Sequence, residues 1–436
     1  MKKDGTLSFW SVVSIGIGGM VGGGIFAVLG LAVQLGQGGT PVAFFIAGLI
    51  ALLTSYSYAR LSVRYPSQGG TVEFLNQGFG TGIFTGGMNI LLWVSYVVML
   101  SLYAFAFGSY GASFFPASDQ LVWKHLFISL VVILFTGLNA LGATFVGKAE
   151  EWIVGLKISI LLFFISVGIW GVNPQNLQPT TWTNFSELVA GGMIIFLAYE
   201  GFEFIANASG NVKNPKKTIP RAFYTSVLFV IGLYIFISVV TVGNLPIHDI
   251  VAAKDYALAE SARPFLGTGG FILIAIAALL STSSAINATL YGTARVSYII
   301  AKDGELPKVL DRNVWNRPIE GLLITMVLTL FVANVFDLSS ISVMGSAGFL
   351  LIFAAVNAAN VRLARETKSN KWVSLSGVFA CIVAFGVLFW EKALTAPFTI
   401  LILMFMIAIS FMTEVIYKKT TGRKIQPFFR KNDTAK

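Results

Sequence analysis

The sequence predicts an all-α integral membrane protein of twelve transmembrane helices built on an inverted repeat. Three observations predict it. The 436 residues are 56% hydrophobic but only 11% charged, less than half of the roughly 25% charge of a soluble domain. The apolar residues fall into stretches near the ~20 residues that cross a hydrocarbon core about 30 Å thick. Two of those stretches, five spans apart, are interrupted by glycine near mid-span.

In chain order the spans cover 8–34, 41–59, 82–112, 121–144, 149–171, 187–210, 220–243, 266–300, 320–336, 339–361, 372–390 and 395–417. The first follows Met1, Lys2 and Lys3 directly, but it is too long and glycine-rich for a signal peptide and lacks a small-residue cleavage site. Span 1 holds Gly16, Gly18, Gly19, Gly22, Gly23 and Gly24 close together, followed by Ile25 and Phe26. Glycine costs about 1 kcal/mol in a helix relative to alanine, and six exceed what close helix packing requires. The helix is expected to unwind there.

Span 6 reads FLAYEGFEFIANASG, with Glu200 and Glu203 flanking Gly201. A charged side chain at the bilayer centre costs about 2.5 to 3.5 kcal/mol on insertion scales and faces a cavity or a partner. Glycine between two acids marks a second break. An offset of five helices reverses the direction of insertion, so 8–171 and 187–361 are expected to be the two halves of an inverted repeat. The site then lies at their interface near the midplane. Residues 372–417 form an accessory pair and 418–436 a basic tail. Unwound N–H groups at a half-helix N-terminus suit a carboxylate, and exposed carbonyls at a C-terminal end suit a cation. A zwitterion fits both ends.

The 30 Lys and Arg residues against 20 Asp and Glu give a net charge of +10. Their positions follow the positive-inside rule. All except Lys124, Lys254, Arg263, Lys392 and Lys157 fall at the termini or after even-numbered spans. Both termini are therefore expected on the cytoplasmic side of the cell (inner) membrane, with the basic tail as a topology signal. A nucleic-acid binder needs its bases on a folded soluble face, which this chain does not supply. One cysteine, Cys381, excludes an intramolecular disulfide framework, and His125 and His248 leave little for a metal. No HExxH, GxxxxGK[ST] or GxSxG occurs, so no catalytic residue, cofactor or metal is expected. The NAS triplet at 207–209 lies at a cytoplasmic helix end, where it is not a glycosylation acceptor. Asn139, Asn287 and Asn334 are expected to make helix-to-helix hydrogen bonds.

Lys157 is the one basic residue that fits no interface. It lies about seven residues past Glu150, roughly 10 Å into the span at 1.5 Å per residue. Snorkelling from that depth is strained, and burial favours the neutral amine. A lysine that releases its proton there can couple transport to a proton gradient.

The stretches GIGGMVGGGIF (16–26), YPSQGGTVEF (65–74), FLAYEGFEFIANAS (196–209) with NVKNPKKTIPRA (211–222), and SSAINATLYGTARVSYIIAKDGELP (283–307) carry a resemblance. In that order they resemble the amino acid-polyamine-organocation transporters, and LSTSSAINATLYG, AKDGELP and GNLPI with the lysine of EEWIVGLKISILL resemble proton-coupled members. Where many members have paired glutamates before VKNP, this chain has Ser209, Gly210 and Asn211. The resemblance implies a LeuT-like fold of five plus five inverted repeats with discontinuous helices 1 and 6. It implies that backbone amides around Gly22, Gly23, Gly24 and Ile25 hold a substrate carboxylate. Carbonyls around Phe196, Leu197, Ala198 and Glu200 then hold its ammonium, with Tyr199 and Phe202 as candidate gate aromatics. For coupling it implies that Lys157 contacts a carbonyl matching Gly18 and a hydroxyl matching Ser281, with Ser284 one turn on. Glu203 is open between a proton response and accepting hydrogen bonds that hold the break together. Glu200 is open between pairing with a cationic substrate and tethering a neighbouring helix.

Secondary active uptake of small or neutral amino acids by proton symport is therefore expected, with the amino acid substrate, protons as the coupling ion and the lipid bilayer as partners and no nucleic acid. The alternative is an exchanger of amino acids, possibly cationic ones or polyamines, in which Lys157 is structural.

Overall fold

The computed structural model describes residues 5–141, 146–303 and 319–421. Its helices are α1 (Phe9–Met20), α2 (Gly24–Gly36), α3 (Thr40–Arg64), α4 (Thr71–Phe79), α5 (Ile83–Ala112) and α6 (Gln120–Leu141). Next come α7 (Val146–Gly168), α8 (Phe185–Ile194), α9 (Phe204–Ala208), α10 (Pro215–Asn244), α11 (Ile247–Ala252) and α12 (Ala257–Glu260). The chain ends with α13 (Arg263–Asp303), α14 (Ile319–Val335), α15 (Leu338–Arg362), α16 (Ala364–Thr367), α17 (Lys371–Thr395) and α18 (Pro397–Thr421). Two isolated backbone bridges, Leu7 with Val212 and Gln37 with Trp182, are the only β pairings among the described residues. The basic tail beyond Thr421, the loop 304–318 with the end of the AKDGELP motif, and residues 142–145 lie outside the described residues.

The fold is an all-α integral membrane fold. Among the described residues, ten spans, two of them counted across short breaks or 3-10 turns, are long and apolar enough to cross a membrane. The pair α1 and α2, bent by 44° across a short break, makes an eleventh span, and α14 is apolar but only 17 residues long. The helices divide by which face meets lipid. The hydrophobic window of α5 is 89% buried and that of α6 only 22%, which places α5 in the centre and α6 at the rim. Leu130, Ile133 and Leu134 of α6, Phe379 and Ile382 of α17, and Leu401 and Phe405 of α18 are exposed. With hydrocarbon as the solvent, such side chains need no burial.

Local signals set several helix ends. Asn184 accepts from the Glu187 N–H at 2.9 Å to cap α8, and Asp337 accepts from the Ser340 N–H at 3.2 Å to cap α15. Proline opens α10 and α18, where its missing N–H would have no helical acceptor. The helix α4 begins within YPSQGGTVEF, and its start is built by Ser67. Its hydroxyl accepts from the Gly69 and Gly70 N–H groups at 3.2 and 3.1 Å. Gly70 has φ +45°, and a Cβ there would sit 2.1 Å from the Asn207 side-chain oxygen. Only glycine lets this turn dock on the end of α9.

The expected interhelical amides are present. Asn139 donates to Asn287 at 2.7 Å, joining α6 to α13, and Asn334 lies 2.8 Å from the His125 ring nitrogen. On the α12 side, Lys124 pairs with Asp255 at 3.7 Å and lies over the Phe105 ring at 4.5 Å. Burial pushes the Asp255 carboxyl above the usual carboxylate range, and the Lys124 and Lys254 ammonium groups pull it partly back.

Candidate functional site

Both glycine-rich segments are broken, and the breaks face each other. The first separates α1 from α2 at Val21 to Gly23. The second runs from the 3-10 turn Ile195–Tyr199 through residues 200–203 to α9, with Gly201 at φ +112°. Residues Val21 to Ile25 and Phe196 to Glu203 are all buried. The breaks touch where both backbones lack side chains. A Cβ on Gly19 would meet the Gly201 carbonyl oxygen at 2.6 Å, and one on Gly24 would meet the Ala198 Cα at 2.7 Å.

A single hydroxyl bridges the two breaks. Tyr234 of α10 donates toward Met20 O at 2.7 Å and Ala198 O at 3.1 Å. It thereby satisfies a carbonyl at each interrupted end. Ser281 of α13 points its hydroxyl at the carbonyls of Val21, at 2.8 Å, and Gly22. Ser346 of α15 accepts from the Leu197 N–H at 3.0 Å and donates to Ile194 O at 2.8 Å. Buried backbone groups without a partner cost free energy comparable to a lost hydrogen bond. These hydroxyls keep the breaks open at low cost.

The substrate segments expected from the resemblance come together. No side chain caps α2, and its first backbone bond runs from the Ala27 N–H to Gly23 O. The N–H groups of Gly24, Ile25 and Phe26 therefore precede the helical ladder, beside the carbonyl face of residues 196–198. Tyr103 of α5 lies against Gly23, where a Cβ would be 2.3 Å from its ring. Tyr199 donates to Phe44 O at 2.8 Å and packs on Tyr234 at 5.1 Å between ring centroids. Phe202 packs edge-on to Tyr58 at 5.4 Å and lies 5.2 Å from Phe353.

Lys157 of α7 is 2% exposed and its Nζ donates to Gly18 O at 3.1 Å. Its approach to α1 comes from the side of Val154, which a Cβ on Gly18 would meet at 2.9 Å. Ser284 is half-buried one turn beyond Ser281 on α13. Glu203 is held by two donors. The Gly201 N–H lies 2.8 Å from Oε2 and the Tyr96 hydroxyl 3.2 Å from Oε1. Glu200 is fully buried, and neither of its oxygens receives a donor among the described residues. Charge is also buried outside these three residues, at Lys392 of α17 and Glu414 of α18. Both lie near helix ends, which is why hydropathy hides them.

Tyr234, Tyr103, Tyr96 and Ser346 were not legible as site residues in the sequence. A lone tyrosine or serine in an apolar helix has no pattern, and only the crossing of α5, α10 and α15 over the breaks assigns them.

The amino acid permease family profile matches residues 7–425. An uncharacterized protein of Methanocaldococcus jannaschii is 37% identical over 97% of both chains. The Escherichia coli inner membrane transport protein YbaT is 34% identical over 88% of this chain and 91% of its own. The Lactococcus lactis branched-chain amino acid permease BcaP is 27% identical over 79% of this chain and 78% of its own.

Proposed function

The chain belongs to the amino acid permease family, and on that premise we propose that it carries small or neutral amino acids together with protons, by alternating access. In this proposal twelve spans form two inverted halves, 8–171 and 187–361, with 372–417 as an accessory pair. Both termini face the cytoplasm of a cell membrane. The substrate carboxylate sits on the backbone amides at the start of α2, around Gly22, Gly23, Gly24 and Ile25, where the helix dipole favours an anion. Its ammonium sits on the carbonyl face around Phe196, Leu197, Ala198 and Glu200. Tyr199 and Phe202 close over it.

One observation carries the coupling: the buried Lys157 ammonium donates to Gly18 O of the interrupted helix. A protonated amine holds that carbonyl. A neutral one holds it more weakly, because a charge-assisted hydrogen bond is roughly twice as strong as a neutral one. Loss of the proton toward the cytoplasm therefore loosens α1 from α7. Ser281 supports the adjoining carbonyls from α13, and Ser284 and Glu203 belong to the same region.

The test is uptake of amino acids into proteoliposomes under an imposed pH gradient, after thermal-shift screening has identified ligands that bind the folded state. Lys157→Ala is expected to bind substrate but to lose gradient-driven accumulation. Full accumulation by Lys157→Ala refutes the coupling. Uptake that needs internal amino acid and ignores pH favours exchange.

A further inference from the structure

Two carboxyl groups occupy the gap in the second broken helix, and their surroundings differ sharply. Glu203 accepts from the Gly201 N–H with one oxygen and from the Tyr96 hydroxyl with the other, so each of its oxygens has a donor. Glu200, three residues earlier, receives no donor at either oxygen and is 0% exposed. The Glu203 carboxyl folds back to 2.8 Å from the Gly201 N–H, the peptide group that follows Glu200, which brings the two acids to the same turn. A buried carboxylate with no donor and a like charge beside it is doubly unfavourable. A carboxylic acid in the same place has one O–H to give, and Glu203 is the acceptor beside it.

We propose that Glu200 and Glu203 form a carboxylic acid–carboxylate pair that holds one proton in the gap of the broken helix. Glu200 carries the proton and donates it to Glu203. Tyr96 of α5 donates to Glu203, while Tyr58 of α3 packs on Phe202 between the two acids and bonds to Thr71, and Tyr103 of α5 lies against Gly23. None of the three is a cation. Lys157 approaches α1 from the Val154 side, by way of Gly18, whereas the acids approach by way of Gly201 against Gly19. The pair is therefore a proton site separate from that lysine, and it stands whether or not Lys157 couples transport.

The pair sits on the backbone that supplies the carbonyls of Leu197 and Ala198. Releasing the shared proton leaves two anions on the same turn around Gly201, and their repulsion opens the gap. Protonation thus bears on the same segment that would receive a substrate ammonium.

Infrared difference spectroscopy of the full-length protein in lipid, stepped in pH, reads the proton directly through the C=O band of a neutral carboxylic acid. The wild type is expected to show such a band at neutral pH, amounting to one proton per protein and lost on alkaline titration. Glu200→Gln, which keeps the shape of the neutral acid, removes it. Glu203→Gln shifts it, because the acceptor changes, and Lys157→Ala and Glu414→Gln leave it in place. A band unaltered in Glu200→Gln overturns the proposal. So does a wild type with both carboxylates ionised at neutral pH, which is the result expected if the pair is instead a seat for a cationic substrate. The wild-type titration decides the matter even if a variant fails to fold.

Discussion

Replacing Gly201 by alanine tests whether the two breaks are packed as one unit. The residue has φ +112°, and a Cβ there would lie 2.5 Å from the Gly19 carbonyl carbon and 2.8 Å from both Gly19 O and Met20 N. Every obstacle is backbone, so no side chain can swing aside. Left-handed backbone costs a non-glycine residue about 1 to 2 kcal/mol, and overpacking a dense interior costs about 1 to 3 kcal/mol more. The sum is roughly 2 to 5 kcal/mol. Gly232→Ala is the matched control, since a Cβ at that position in α10 meets nothing within 4 Å. There the helix gains up to about 1 kcal/mol from propensity. The assay is thermal unfolding of the detergent-solubilised protein, followed by a thiol dye that reacts with Cys381 as this buried cysteine becomes exposed. Gly201→Ala is expected to unfold several degrees below Gly232→Ala and to lose ligand-induced stabilisation. Equal midpoints with ligand binding retained would refute the packing of Gly201 against Gly19.

Tyr234→Phe removes the hydroxyl that satisfies Met20 O and Ala198 O. Two stranded carbonyls cost about 1 to 3 kcal/mol each, so amino acid affinity and midpoint should both fall in a binding titration and a melt. Ser281→Ala strips Val21 O and Gly22 O of their donor, whereas Thr282→Val loses a hydroxyl bonded only within its own helix, to Ala278 O at 2.7 Å. The first should lower uptake at least several-fold and the second little; equal effects would remove Ser281 from the break. Lys124→Gln leaves Asp255 without its ion pair. Burial already raises the Asp255 carboxyl, so the folded state binds that proton more tightly than the unfolded chain and loses stability as pH rises through the raised value. The variant should be less stable than wild type by on the order of 1 kcal/mol near pH 8, and the deficit should shrink toward pH 5. A deficit independent of pH would place the effect in packing over Phe105.

Much of the fold is written in one-dimensional patterns. Apolar stretches long enough to cross a bilayer, glycine runs where a helix cannot persist, and a lysine or glutamate too deep to reach water are local facts, because the cost of each is paid within its own segment. So the breaks at Gly22–Gly23 and at Gly201 and the depth of Lys157 followed from the residues alone. The helix α4 did not, since its turn depends on Ser67 and on Gly70 docking against Asn207. Nor did the roles of Tyr234 and Ser346. Each is an unremarkable residue in an apolar helix until the helices cross and leave a carbonyl or N–H of a distant break in front of its hydroxyl. The contrast between Glu200 and Glu203 is of the same kind. The sequence supplies two acids three residues apart, but only the turn at Gly201 and the position of Tyr96 give both donors to one of them and none to the other.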